Sequence, residues 1–321
     1  MKSKSICLFL ILSVVLLNRC RNITNTETLT LVAENNIVNS VIDSMSSMSL
    51  GNGHFIFSTD ITGLQTFPDF YSDGIPLITW SDWSRVTENT PGGNSYSYQL
   101  GMIGLRILKK NGKEISVNDI GAPVQILNMS AGEIDSRFRI EDIPVHLKTV
   151  CHPDYDIISV KIISDLIGKK QLSIKIDFSD RAPSLPGASY SSSRMNTTEV
   201  LSDTNNLVIF DRSRNNDKYK VMIWLNDAHV INISQNIYYL EPDGSDSTYS
   251  FSCQFLNNPE DGRIQDFGET ETASRESWEK FWITIGNTDL RKIKGAKSKQ
   301  LTADLIRSLY YNRLHSFLNE K

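Results

Sequence analysis

The sequence predicts an all-β fold, a large antiparallel sandwich, on three observations. Runs rich in β-branched and aromatic residues follow one another at short spacing from Phe55 to about Phe255, with no long helical pattern between them. In Tyr249, Phe251, Cys253 and Phe255 one face is apolar while Ser250, Ser252 and Gln254 fill the other, as in a sheet with one wet side. Asn111-Gly112 joins Leu105 to Leu108 with Glu114 to Val117, and both turn residues tolerate the positive φ of a type I′ hairpin. Many strands without interleaved helices build an antiparallel sandwich in preference to a parallel sheet.

The first element is not part of that fold. Lys2 and Lys4 precede an apolar run from Ile6 to Leu17, a dozen residues, too few to span a bilayer as a helix. This is the pattern of an export signal, and residues 1–20 are assigned to it. Cys20 stands where a lipoprotein signal places its acylated cysteine, but Arg19 fills the position usually held by a small residue. A lipid anchor through Cys20 is therefore the alternative to plain secretion, and no transmembrane helix is expected once the signal is removed.

Strands follow over Ser136 to Ile140, Val145 to Thr149, Ile157 to Ile163, Leu172 to Phe178, Tyr219 to Leu225 and Tyr249 to Phe255. Between them Ser179 to Thr204 is rich in Ser, Asn and Thr, contains Pro183 and Pro186, and reads as a long exposed loop. Helical spacing comes late. Trp278, Phe281 and Trp282 fall at i, i+3 and i+4 after Ser274, a candidate N-cap, which predicts a short helix. A second, C-terminal helix is expected over Leu301 to Leu318, with Leu305, Ile306, Leu309, Tyr310 and Phe317 as its apolar stripe.

Charge separates this last part from the rest. The net charge is -4, yet Arg291 to Lys321 carries +6 and the remainder -10. The expected organisation is a sandwich over residues 28–286 and a basic linker with an amphipathic helix over 287–321. That helix is expected to have no partner within the chain. An acidic protein of pI about 5.8 is not a nucleic-acid-coating surface.

Removal of the signal takes away Cys7 and leaves Cys151 and Cys253 beyond Cys20, in strand-like runs where buried thiols and a single bridge are equally open. Five scattered histidines form no zinc spacing, and neither metal nor cofactor is expected.

Two clusters carry polar chemistry. Gly51 to Phe67, GNGHFIFSTDITGLQTF, sets His54, Asp60 and Gln65 beside aromatic residues and turn-forming glycines. Gly74 to Arg85, GIPLITWSDWSR, brings Trp80, Asp82 and Trp83 together. Flat rings for a pyranose face and a carboxylate for its hydroxyls are what a sugar site uses, while one core and one rim tryptophan is the structural alternative. His54, Gln65, Trp80, Asp82 and Trp83 are thus the candidate substrate-binding residues, for an oligosaccharide or polysaccharide. Glycoside hydrolysis needs two carboxylates across one bond. Among 37 acidic residues no pair stands out, whether Asp82 is matched with Asp73 or Asp60, and no catalytic residue is assigned.

These clusters, followed by SRFRIEDIPVHLKTVCHPDYDIISVKI (Ser136 to Ile162) and SWEKFW (Ser277 to Trp282), resemble the N-terminal β-supersandwich of six-hairpin-glycosidase-like proteins. The family's sandwich is of the galactose-mutarotase-like kind. The resemblance implies a linker helix, matched here by LTADLIRSLYY (Leu301 to Tyr311), then an (α/α)6 barrel holding the catalytic carboxylates. No barrel follows in this sequence, so a truncated or split gene product is expected, its barrel either missing or separately encoded as a partner. One departure stands after Trp83, where Ser84-Arg85-Val86 replaces the family's further aromatic and histidine residues.

The leading expectation is a non-catalytic sandwich of an exported glycoside-hydrolase-like protein. Its alternatives are a stand-alone carbohydrate-binding sandwich and a self-sufficient mutarotase-like enzyme. The last needs a histidine and a carboxylate in one cleft, with His54, His146 or His152 as candidates.

Overall fold

Alternating apolar and polar residues produce eighteen strands in the computed structural model, which describes residues 25–87, 95–179, 196–204, 206–214, 217–244, 246–263, 265–286 and 296–316. Nine form one sheet in the order β1 (Ile37–Asn39), β8 (Ile120–Asn128), β9 (Glu133–Ile140), β10 (Ile143–Cys151), β11 (Ile157–Ile163), β18 (Thr248–Leu256), β15 (Asp217–Leu225), β14 (Leu207–Arg214) and β13 (Asn196–Thr204). A second sheet has the order β16 (Ala228–Ser234), β17 (Ile237–Pro242), β12 (Leu172–Asp177) and β7 (Met102–Ile107). A third holds β2 (Met48–Gly51), β3 (Phe55–Thr59) and β4 (Thr79–Ser81), and β5 (Arg85–Thr87) pairs with β6 (Ser95–Ser97). Every pairing is antiparallel. Among the described residues five helices accompany them: α1 (residues 25–33), α2 (Pro68–Tyr71), α3 (Asp165–Gly168), α4 (Phe267–Gly286) and α5 (Ala296–Leu314).

The inner faces meet in one apolar core. Ile158, Val160 and Ile162 of β11, Tyr249, Phe251 and Cys253 of β18, and Ile174 and Ile176 of β12 all lie in it, buried. Complete burial of each such side chain is worth about 1.5–3 kcal/mol, which fixes the register, because a one-residue slip would turn these residues outward. The large antiparallel sandwich expected from the sequence is the fold observed.

Several local expectations are corrected. The Asn111-Gly112 turn is not type I′, since Asn111 keeps negative φ and only Gly112 takes φ +78°. Gly112 N donates to Lys109 O at 2.8 Å and Lys109 N to Lys113 O at 2.9 Å, so the turn spans Lys109–Gly112 with the glycine as a left-handed bulge. The arm after it is a single bridge, Leu108 to Glu114, and Val117 already belongs to a 3-10 turn. The expected loop over Ser179 to Thr204 ends early, because Asn196–Thr204 is the edge strand β13; residues 180–195 lie outside the described residues.

The helix expected to begin at Ser274 starts earlier, at Phe267. Asp266 is its cap: Asp266 Oδ1 accepts from Glu269 N at 2.8 Å, and Glu269 Oε2 accepts from Asp266 N at 3.1 Å, a reciprocal capping box. Ser274 sits inside the helix and donates to the Ala131 carbonyl at 3.1 Å. The outer face of the large sheet is therefore not simply wet. Where α4 crosses it, Ser159 Oγ lies 2.7 Å from Ser252 Oγ and donates to Thr270 Oγ1 at 2.8 Å.

Helix α5 has a partner inside the chain, contrary to expectation. Ile306, Tyr310 and Leu314 are fully buried, Leu309 is half-buried, and Leu305 faces solvent. The Tyr310 ring stacks on Trp278 at 4.6 Å, its hydroxyl donates to Ser49 O at 3.2 Å, and the Arg313 guanidinium lies 4.1 Å from the Trp278 ring centre. Phe317 and residues 287–295 lie outside the described residues.

Cys151 and Cys253 are buried free thiols. Both sit opposite Ile158, on strands flanking β11, so two strand spacings of about 4.8 Å part their Cα atoms, beyond the roughly 7 Å limit of a disulfide. Residues 1–24, with Cys20 and the export signal, lie outside the described residues. No helix among the described residues is long and apolar enough to cross a membrane.

Candidate functional site

His54, Asp82 and Trp83 meet at one end of the β3–β4 pair. A tight turn before β3 exposes His54. Gly51 approaches Phe55 O so closely that an added Cβ would lie 2.3 Å from it, and Gly53 takes φ +98°. Asn52 holds this turn in shape: its Oδ1 accepts from His54 N (2.9 Å) and Phe55 N (2.8 Å), while its Nδ2 donates to Tyr155 O (3.0 Å). Across the sheet, β4 ends in the 3-10 turn Asp82–Ser84, tied back by Asp82 N donating to His54 O at 2.8 Å.

The His54 imidazole, 71% exposed, places Nδ1 at 3.1 Å from Asp82 Oδ2, whose side chain is 47% exposed. Behind this pair stands Asp156, at the start of β11. Its Oδ2 accepts from Ser81 Oγ at 2.6 Å and from the Trp83 indole N–H at 2.8 Å. Burial holds the Asp156 carboxyl above its ordinary value against the lowering influence of these two hydrogen bonds; the Asp82 charge adds to the rise and His54 opposes it. The Trp83 ring lies 5.8 Å from that of Tyr219, whose hydroxyl donates to Leu100 O at 2.7 Å. The result is a half-buried indole with a firmly held edge, an exposed imidazole and two carboxylates around one hydroxyl, that of Ser81.

The other two candidates are elsewhere. Trp80 is 8% exposed and belongs to the core, so of the two tryptophans one is core and the other rim. Gln65 is buried, and its amide is fully used. Nε2 donates to Ser58 O and Ile78 O, both at 3.0 Å, and Oε1 accepts from Ile103 N at 3.1 Å. It joins three chain segments and offers nothing to a ligand. Asp60 is likewise internal, accepting from Thr62 N and Phe67 N, and burial pushes its carboxyl up to about 6. His152 accepts through Nδ1 from Asp154 N and Tyr155 N, and burial lowers its pKa, so it is a neutral internal brace. His146 lies 3.0 Å from Asp135 and belongs to another face.

Asn52, Ser81 and Asp156 are the residues that sequence reasoning missed. Asn52 had a local signal, an Asx turn between two glycines in GNG. Asp156 had none, because Ser81 is 75 positions away. Among the described residues no three His, Cys, Asp or Glu side chains converge as a metal would require.

No family model matches the chain, and no curated protein matches it. Among solved structures it is similar to a protein described as a kojibiose phosphorylase from human microbiome, with TM-score 0.48 and 9% identity over 85% of this chain and 37% of that one. It is also similar to the family GH92 alpha-mannosidase from Bacteroides thetaiotaomicron, with TM-score 0.35 and 9% identity over 88% of this chain and 41% of that one. The same enzyme in complex with mannoimidazole gives TM-score 0.31 and 7% identity over 88% and 40%. The chain thus spans about two fifths of the length of these structures.

Proposed function

We propose that the chain is a non-catalytic β-sandwich of an exported, carbohydrate-active protein, bracing a separate catalytic domain and lending His54, Asp82 and Trp83 to the edge of that domain's sugar site. One observation carries this reading. At the end of α5, Ser316 Oγ donates to the Gly53 carbonyl at 2.9 Å, one residue from His54. A domain packed against α5, in this polypeptide or another, lies beside the exposed imidazole, carboxylate and indole. Leu301 and Leu305, 58% and 38% exposed on α5, give such a domain an apolar foothold. The rim chemistry suits a sugar: an indole face for a pyranose ring, a carboxylate and an imidazole for its hydroxyls.

Catalysis is assigned elsewhere because Asp82 and Asp156 are not set across a substrate bond; they share the Ser81 hydroxyl, and Asp156 is committed to Trp83. The test is to co-express the tagged chain with the product of the adjacent reading frame. A co-purifying glycosidase whose activity falls with His54→Ala or Asp82→Asn supports the reading. Aryl-glycoside turnover by the purified chain alone, lost with Asp82→Asn, would make the chain itself an enzyme. Export is tested by N-terminal sequencing, with a mature start expected between about residue 18 and residue 30; an intact Met1 contradicts it.

The variant Trp83→Ala is a poor probe of sugar contact, since it also strips a hydrogen bond from the half-buried Asp156 carboxyl.

A further inference from the structure

The outer face of the nine-stranded sheet carries a groove that the rim site does not use. It opens where α4 begins and leaves the polar side of β10, β11, β18 and β15 uncovered, and its volume is about 520 Å³, within the roughly 300–1,000 Å³ of small-molecule sites. The half-exposed Trp224 forms one wall and Ile163, 42% exposed, an apolar patch on the floor. Lys161 and Ser250 are direct cross-strand partners, so an ammonium and a hydroxyl stand side by side between them. Asn226, Thr248, Asp266 and His146, the last 3.0 Å from Asp135, add to the polar lining.

We infer that this groove binds a neutral oligosaccharide, at a second carbohydrate site independent of the rim. The charges argue for neutrality. Lys148, the other ammonium of the groove, is already paired with Glu133 at 3.1 Å and Glu271 at 3.4 Å. Lys161 forms no ion pair among the described residues, but Asp266 and Glu271 face the same space, so an anion meets repulsion with its attraction. An apolar ligand would strip water from Lys161 and Asp266 without replacing it. A sugar avoids both penalties. Each hydroxyl donates and accepts, matching ammonium and amide donors set among carboxylate and hydroxyl acceptors, while the C–H face of a ring lies on the indole. The strands beneath are hydrogen-bonded on both sides, which holds this lining in place before any ligand arrives.

Saturation-transfer NMR and calorimetry on the full chain, with α-1,2-mannobiose, maltotriose and cellotriose as probes, test the inference. At least one probe should bind. Trp224→Ala should weaken it by about tenfold, and Trp224→Phe, which keeps a ring, by much less. Lys161→Met, a change on the sheet surface that spares the core, should weaken it by about threefold, so that the result does not depend on Trp224→Ala folding. The inference is overturned if none of the three probes binds, or if affinity survives both Trp224→Ala and Lys161→Met. Displacement of the sugar by inorganic phosphate would make the groove an anion site instead. An affinity lost with His54→Ala and kept with Trp224→Ala belongs to the rim, which would support the proposed function while sinking this second site.

Discussion

Replacing Tyr310 by alanine should release α5 from the sandwich and leave the sandwich folded. The helix is held by Ile306, Tyr310 and Leu314, each fully buried, for a gross gain of roughly 5–9 kcal/mol at about 1.5–3 kcal/mol per side chain. Most helical stability in proteins comes from tertiary packing, so this nineteen-residue helix depends on that attachment to stay ordered. Removing a buried aromatic ring costs about 3–5 kcal/mol, close to half of the gross attachment. The loss includes the stack on Trp278 and the hydrogen bond to Ser49 O. Hydrogen exchange read by mass spectrometry separates the two parts. Amides across residues 302–314 should exchange roughly a hundred- to several thousandfold faster in Tyr310→Ala, with β10 and β11 unchanged. Tyr310→Phe keeps the stack and should cost only about 1 kcal/mol. Unchanged protection of α5 would refute the reasoning. Parallel loss of protection in β11 would also refute it, by showing that α5 is part of one cooperative unit with the core.

Three further outcomes are expected. Gly132 has φ +63°, and an added Cβ would lie 2.0 Å from the Trp278 indole nitrogen, so Gly132→Ala should lower stability in urea by about 1–3 kcal/mol or more; an unchanged midpoint would mean that α4 shifts freely on the sheet. Asp60 titrates near 3.8 when unfolded and at about 6 when folded, so the folded state holds a proton that the unfolded chain releases between these values. Its contribution is most favourable below the unfolded value and declines by about 3 kcal/mol as pH rises through 6. The stability difference between wild type and Asp60→Asn should therefore change with this sign between pH 4.5 and 7.5, and a pH-independent difference would place the carboxyl in a wetter site. Burial raises both the Cys151 and Cys253 thiols, so neither should react with a thiol reagent until the protein unfolds, and reduction should leave the thermal midpoint unchanged.

Much of the fold was legible because burial is one-sided. β11, β15 and β18 alternate or run apolar since their inner faces enter the core. β13 was not legible: NTTEVLSDT is an edge strand with little buried on either face, and its composition is that of a loop. The first half of α4 was hidden for a related reason. It lies on the polar face of the sheet and buries Thr270 and Ser274 through their hydroxyls, so no apolar stripe marks it. At the rim, His54, Asp82 and Trp83 were visible as residue types in adjacent clusters, while Gln65 and Trp80 shared those clusters and face inward. Residue type does not report orientation, and a turn of one residue separates rim from core in a strand.

The strand β11 connects the rim to the outer groove and also keeps them apart. Asp156, which anchors Ser81 and Trp83, precedes it, and Lys161 and Ile163 line the groove near its other end. At about 3.3 Å per residue these points are roughly 15–25 Å apart, far enough for substitutions at the two sites to act additively. β11 is paired on both sides and its inner face is fully buried, so a small displacement at one end has no soft path to the other. α5 is different. It reaches the rim through Ser316 and Gly53 and rests on Trp278, while the groove meets α4 at its start, as far as Glu271. The domain proposed to pack on α5 would therefore act first on His54 and its neighbours, and would reach the groove only through α4.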